Sequence, residues 1–243
     1  MRGQEPQPRN SDYAQCEDLL RRGDRDRWLA CLFVPQALRP HIHALYAFSL
    51  EIARVREIVS EPLLGEIRFQ WWRDALDETG DAGARANPIA AALLDTIARF
   101  SLPRAPLLEL IDARLRDLYD DPIESPAILE SYTEATCASL FRLSTQILDG
   151  EEVAAGLGVA GHAGIAYGIT GLLRALPWHC ARVERSMMIL PPGVPRLVSL
   201  PRSRICARLP ARILILLMRV CTAFQTKAVR PFCRSAFASP ICG

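Results

Sequence analysis

Asp117-Leu118-Tyr119-Asp120-Asp121 is the one acidic cluster in this chain with metal-like spacing. On a helix Asp117 and Asp121 stand at i,i+4, so both carboxylates share a face and offer hard oxygen donors to a magnesium ion. Pro122 ends a helix at that point. Carboxylates at a helix C-terminus oppose the macrodipole, at a cost of about a few tenths of a kcal/mol. Arg114 and Arg116 lie one turn back, and an arginine-paired helix end is therefore favoured over a metal site. His41 and His43 are separated by i,i+2, which points them to different helix faces, and no C-x-x-C occurs, so no structural zinc is expected. Gly156-Leu157-Gly158-Val159-Ala160-Gly161 matches G-x-G-x-x-G to the letter. A dinucleotide site needs a strand before that motif and an acid about 20 residues after it. Glu151 to Ala155 is helix-forming and Arg174 to Cys180 holds no acid, so these glycines read as helix-packing positions.

The elements that must position these residues are helical. Leu38, Ile42, Leu45 and Ile52 repeat on one helix face, as do Leu108, Ile111, Leu115 and Leu118, and no stretch shows comparable strand alternation. The pattern predicts helices over 12–22, 36–57, 63–79, 88–100, 104–120, 126–149 and 151–176. Pro35, Pro62, Gly80 to Gly83, Pro103, Pro122 and Pro177 bound them. Ser125-Pro126 reads as an N-cap followed by proline at the first helical position. Short linkers imply an antiparallel bundle. Adjacent tryptophans differ by about 100° around a helix, so of Trp71 and Trp72 one belongs to the core and the other fills a gap between helices.

Charge divides the chain. Residues 1–184 carry 19 basic and all 27 acidic side chains, net −8, whereas 185–243 carry 10 basic and none acidic, net +10, which sums to the +2 of the whole. Four of the eight cysteines fall between 206 and 242, and the amphipathic patterning of the body stops there. Residues 193–243 thus read as a basic, poorly patterned tail, a frame-shifted or disordered end, ahead of a surface for anionic lipid. Nucleic acid is not an expected partner, since only Phe224, Phe232 and Phe237 accompany those cations. No run approaches the roughly 20 apolar residues of a membrane span, and Met1 to Asn10 has no apolar secretory core. A cytoplasmic protein with reduced thiols, in contact with a membrane at most peripherally, is the expectation.

Tyr46-Ala47-Phe48-Ser49-Leu50-Glu51-Ile52-Ala53-Arg54-Val55-Arg56-Glu57 resembles the first signature helix of the squalene/phytoene synthase family. There an aromatic stretch leads into a DExxD that holds Mg²⁺ on a prenyl diphosphate. In this chain those five slots read Ala53, Arg54, Val55, Arg56 and Glu57, and one glutamate beside two cations does not supply the carboxylate array that magnesium requires. Gly164 to His179 resembles the second signature helix, with Ala175 and His179 where the family places its second pair of acids. The run Leu173-Arg174-Ala175-Leu176-Pro177-Trp178-His179 is similar to the family's non-catalytic, complex I assembly factor-like branch. Phe33-Val34-Pro35, Arg39, Val59-Ser60-Glu61, Gln70-Trp71-Trp72, Tyr132 and Leu190-Pro191 extend the resemblance over roughly residues 12–192.

The resemblance implies an all-α, isoprenoid-synthase-like helical bundle over 12–192 with a degraded C-terminal end. Its apolar cavity would be lined by Tyr46, Glu57, Trp71, Gly164 and Arg174, and the helices carrying Tyr46 and Arg174 would be neighbours. The implied function is that of a non-catalytic scaffold or assembly factor, a pseudoenzyme with a protein partner, binding a prenyl or lipid ligand and needing no cofactor. The alternative is an active prenyltransferase of isoprenoid biosynthesis that condenses two prenyl diphosphates head to head. Its magnesium would then sit on Glu57 and a rearranged site at Asp117 and Asp121. A third reading is a membrane-surface adaptor acting through the basic tail.

Overall fold

Proline and short polar side chains set where the helices begin. In a computed structural model, residues 10–77, 83–119, 123, 125–149 and 154–188 are described, the last stretch as backbone only beyond 175. The order is α1 (Asn10–Gly23), α2 (Arg25–Cys31), α3 (Arg39–Ile58), α4 (Pro62–Leu76), a 3-10 turn (Ala84–Ala86), α5 (Pro88–Phe100), α6 (Ala105–Leu118), α7 (Pro126–Thr133), a π-helical turn (Glu134–Ala138), α8 (Ser139–Asp149) and α9 (Ala154–Met188). No strand occurs among the described residues, so the fold is all-α. Asn87 caps α5 by accepting from the backbone N–H of Ile89 at 2.9 Å and of Ala90 at 3.2 Å, ahead of Pro88 at the first helical position. Ser125 does the same for α7, its hydroxyl accepting from Ile128 N–H at 3.3 Å, as Ser125-Pro126 predicts. Asp24 caps α2, a helix that sequence periodicity does not reveal because two turns hold too few apolar positions to set a period.

Contacts divide the chain into two units, 1–122 with 132–164, and 123–131 with 165–243. In the first, α3 is the central helix. Ile42, Leu45, Phe48, Ile52 and Val55 are all buried, packed with Phe69 and Trp72 from α4, Leu93 and Ile97 from α5, and Leu107, Leu110 and Ile111 from α6. Phe48 and Trp72 meet edge to face with ring centroids 5.1 Å apart. Leu107 and Leu110 sit deeper than Leu108 and Leu115, which pack against the core only partly buried, so the inward face of α6 is turned by about one residue from its apolar repeat. On the other side of α3, Ala44 and Ala47 admit α1 through Cys16 and Leu20. Cys16, Cys31 and Cys137 are free thiols, and burial pushes Cys16 up to about 12 and Cys31 up to about 11.

Two helices depart from the sequence pattern. The segment 126–149 is not one α-helix but α7 and α8 joined by the π turn, where Thr136 Oγ1 donates to Tyr132 O at 2.7 Å and Ser139 Oγ to Ala135 O at 2.5 Å. Helix α9 runs on through Pro177 to Met188, although proline was expected to stop it at 176. Proline removes one bond of the ladder, and a helix of 35 residues retains the rest. Within α9, Gly156–Ala175 has the length and composition to cross a membrane, where the sequence shows no continuous apolar run. Small residues among its large apolar ones hide it from a search for runs. The second unit contributes Ile165 and Ile169 of this helix as buried side chains. Residues 193–243, Leu190-Pro191 and Asp121 lie outside the described residues.

The glycines of α9 differ in role. A Cβ at Gly164 would stand 2.4 Å from Ala138 Cα, and one at Gly161 would meet the Arg142 guanidinium, whereas at Gly158 it would meet nothing within 4 Å. Close packing therefore explains Gly161 and Gly164 but not Gly158. Gly164→Ala should destabilise the protein by about 1–3 kcal/mol, because backbone must move. Gly158→Ala should be neutral or stabilising by up to about 1 kcal/mol. Urea unfolding midpoints of the two variants check the contrast, and equal effects would contradict it.

A buried polar network ties α1 to α3 and α5. Tyr13 donates to Asp95 Oδ2 at 2.5 Å, and Thr96 Oγ1 donates to Ala92 O at 2.8 Å. Both hydroxyl protons are thus committed, so His41 Nδ1, 3.1 Å from Tyr13 Oη and 3.0 Å from Thr96 Oγ1, carries a proton that the two oxygens share. Burial first, then the Arg99 charge, pushes the His41 imidazolium below the ordinary histidine value, against a smaller opposing effect of Asp95. Burial also lowers His43. An unfolded histidine titrates near about 6.5. Their contribution to stability is therefore complete above that pH and lost as pH falls through the lower folded values. Urea midpoints should fall between pH 7 and pH 5, and His41→Gln should flatten that dependence.

Candidate functional site

Helix α3 carries its candidate residues on two opposite sides. At about 100° per residue, Tyr46, Ala53 and Glu57 fall within about 40° of one another, and Glu51 and Val55 lie on the far side. On the first side, Tyr46 is held between helices. Its ring lies under the Arg27 guanidinium of α2, with 5.0 Å from Cζ to the ring centroid, and its hydroxyl accepts from Ser144 Oγ of α8 at 3.2 Å. Burial pushes the Tyr46 phenol up, so it stays protonated at neutral pH. Ala53 is half-buried, and Arg54 and Glu57 are exposed. The Arg54 guanidinium reaches back to the end of α1, 3.6 Å from where a Cβ at Gly23 would stand.

The donor set on this side does not fit magnesium. Ala53 has no donor, Arg54 repels a cation, and Glu57 is the sole carboxylate of the five positions. Among the described residues no group of three or more His, Cys, Asp or Glu converges on a point.

Asp117 is engaged elsewhere. Arg114 Nη1 donates to Asp117 Oδ2 at 3.0 Å and to Tyr132 Oη at 2.7 Å, and Tyr132 donates to Asp117 Oδ2 at 2.9 Å. The arginine-paired helix end read from the sequence is the arrangement found, with Tyr132 as a third member that spacing did not reveal. Arg114 also stacks on the Tyr132 ring, 5.4 Å from its centroid. Burial would lower the Arg114 guanidinium, but Tyr132 and Asp117 hold it above its ordinary value, while burial pushes the Tyr132 phenol up. The cluster joins α6 to Tyr132 at the end of α7, just before the π turn.

Trp71 stands apart from Tyr46 and Glu57. It lines a cleft of about 210 Å³ with Glu51, Val55, Arg68, Trp72 and Asn87, on the far side of α3. As the sequence predicts, one tryptophan of the pair is core, Trp72, but Trp71 is exposed and does not fill a gap between helices, because its position on α4 turns outward. Gly164 packs on Ala138, and Arg174 is exposed and Ala175 half-buried in the second unit. His179 lies in α9 where only the backbone is described. The sequence reading missed the Glu51 cleft: the spacing of Glu51 and Val55 on α3, and of Arg68, Trp71 and Trp72 on α4, puts each set on one helix side but does not bring the two sets together.

The chain is 36% identical over 170 residues to NADH dehydrogenase (ubiquinone) complex I, assembly factor 6 of Rattus norvegicus, covering 70% of this chain and 51% of that protein. It is 34% identical over 167 residues to the Homo sapiens protein of that name, covering 69% and 50%. The chain thus spans about half the length of the curated relatives it matches. Its fold resembles the crystal structure of a dehydrosqualene synthase in complex with ligand, with a TM-score of 0.59 at 21% identity, covering 68% of this chain and 56% of that one. The squalene/phytoene synthase family model matches residues 20–223, running past Pro192. The chain belongs to the squalene/phytoene synthase family.

Proposed function

We propose that this chain is a non-catalytic member of its family, acting as a scaffold in the assembly of an NADH dehydrogenase complex and holding a prenyl or lipid molecule without turning it over. The similarity to assembly factor 6 proteins of two mammals carries this reading.

The chemistry of the signature positions supports it. Head-to-head condensation begins by breaking a carbon–oxygen bond to diphosphate, and metal ions neutralise the charge that departs. Ala53 and Arg54 in the first helix, and Ala175 and His179 in the second, stand where the family's resemblance places acids. Asp117 already accepts from Arg114 and Tyr132, so recruiting it to a metal would break that network. Arg54 and Arg56 put cations among the first-signature positions, which suit an anionic headgroup better than a second cation.

The test is pyrophosphate release from farnesyl and geranylgeranyl diphosphate by purified full-length protein with Mg²⁺ or Mn²⁺. The expected release equals that of a heat-denatured control. Turnover above the control would make the chain an active prenyltransferase and overturn the proposal.

A further inference from the structure

Helix α4 is apolar on two sides. Phe69, Trp72 and Leu76 face the core, while Leu63 at 62% exposure, Ile67 at 59% and Leu64 at 47% face outward with Trp71. At about 100° per residue these four occupy the middle of the outward arc. Arg68 borders it on one edge and Gln70 on the other, and Gln70 bonds Asp74 at 2.7 Å one turn beyond Trp71. A cluster of large apolar side chains left outward on one helix marks a surface that something covers.

The cleft beside it says what. The rings of Trp71 and Trp72 stand at 83° to each other with centroids 5.0 Å apart, so the buried Trp72 braces Trp71, the indole that the cleft exposes. Glu51 and Arg68 line the same space, and neither forms an ion pair among the described residues. An exposed indole together with a carboxylate is the recognition chemistry of a quaternary ammonium, and a guanidinium is that of a phosphate. A volume of about 210 Å³ holds a headgroup. It is below the roughly 300 Å³ at which pockets for whole small molecules begin.

We propose that the α3–α4 cleft binds the phosphocholine headgroup of a membrane lipid, with the ammonium against Trp71 and Glu51 and the phosphate on Arg68, while Leu63, Leu64, Ile67 and Trp71 enter the acyl boundary of the bilayer. The protein thereby docks on a zwitterionic membrane through α4. The cleft lies on the opposite side of α3 from Tyr46, Ala53 and Glu57, so the site is independent of any prenyl chemistry there and does not depend on the assembly role. A trimethylated peptide would use the ammonium corner but has no use for Arg68 or the apolar stripe.

Full-length protein is sedimented with vesicles of phosphatidylcholine and, in parallel, with vesicles of an uncharged galactolipid that offers acyl chains without phosphate or ammonium. Binding to phosphatidylcholine should be about tenfold or more tighter than to the galactolipid. Arg68→Glu and Glu51→Gln should each remove most of that preference, and Ile67→Glu should weaken binding to both vesicles, with the thermal midpoint of each variant within a few degrees of the parent. Equal binding to the two vesicles, no binding to phosphatidylcholine, or parent-like binding by both Arg68→Glu and Ile67→Glu would each overturn the proposal. So would tight binding of a trimethyl-lysine peptide that phosphatidylcholine vesicles fail to displace.

Discussion

The burial of α3 on nearly all sides is the constraint on which its unit depends. A helix covered all round must present small residues where another helix comes close and large ones where space must be filled. Ala44 and Ala47 admit α1, and Phe48, Ile52 and Val55 fill the gap to α4 and α6. His41, His43 and Ser49 are buried polar residues of this helix, and His41 is accommodated because its Nδ1 meets Tyr13, which in turn bonds Asp95, and Thr96. This arrangement leaves α3 two sides with a chemical character of their own. One carries Tyr46, Ala53 and Glu57, and the other carries Glu51 and Val55.

Those two sides bear on how a family fold can be kept while its signature positions vary. A core residue is held by its many neighbours, whereas a metal-binding carboxylate is held only by its ligand. Phe48 cannot shrink without leaving Trp72 unsupported, yet positions 53 and 54 can be alanine and arginine at no cost to packing, one half-buried and the other exposed. Asp117 is held differently, its carboxylate bonded to Arg114 and Tyr132 across two helices.

Much of the helical framework is legible in the sequence. Pro62 and Ser125-Pro126 mark helix starts because proline's fixed φ and missing donor suit only the first turn, whereas the Asn87 cap ahead of Pro88 emerges only in the structure. The Ile42, Leu45 and Ile52 repeat located the core face of α3. Pro177 misled, since its cost is local and a long helix absorbs it. The π turn left no trace, because one additional residue per turn shifts the apolar phase without breaking it. The cleft of Glu51, Arg68 and Trp71 is a tertiary feature, made only when α4 lies along α3. The partners of Tyr46, Arg27 from α2 and Ser144 from α8, were equally beyond a reading of periodicity.

Loss of catalysis with retention of a scaffold predicts a specific phenotype. The most direct measurement is disruption of the gene in its own organism, with assembled NADH dehydrogenase complex and total isoprenoid products quantified in the same cells. Scaffolding predicts that the assembled complex falls while squalene- and phytoene-derived products stay at the parental level. An unchanged complex with a fall in those isoprenoids would contradict it.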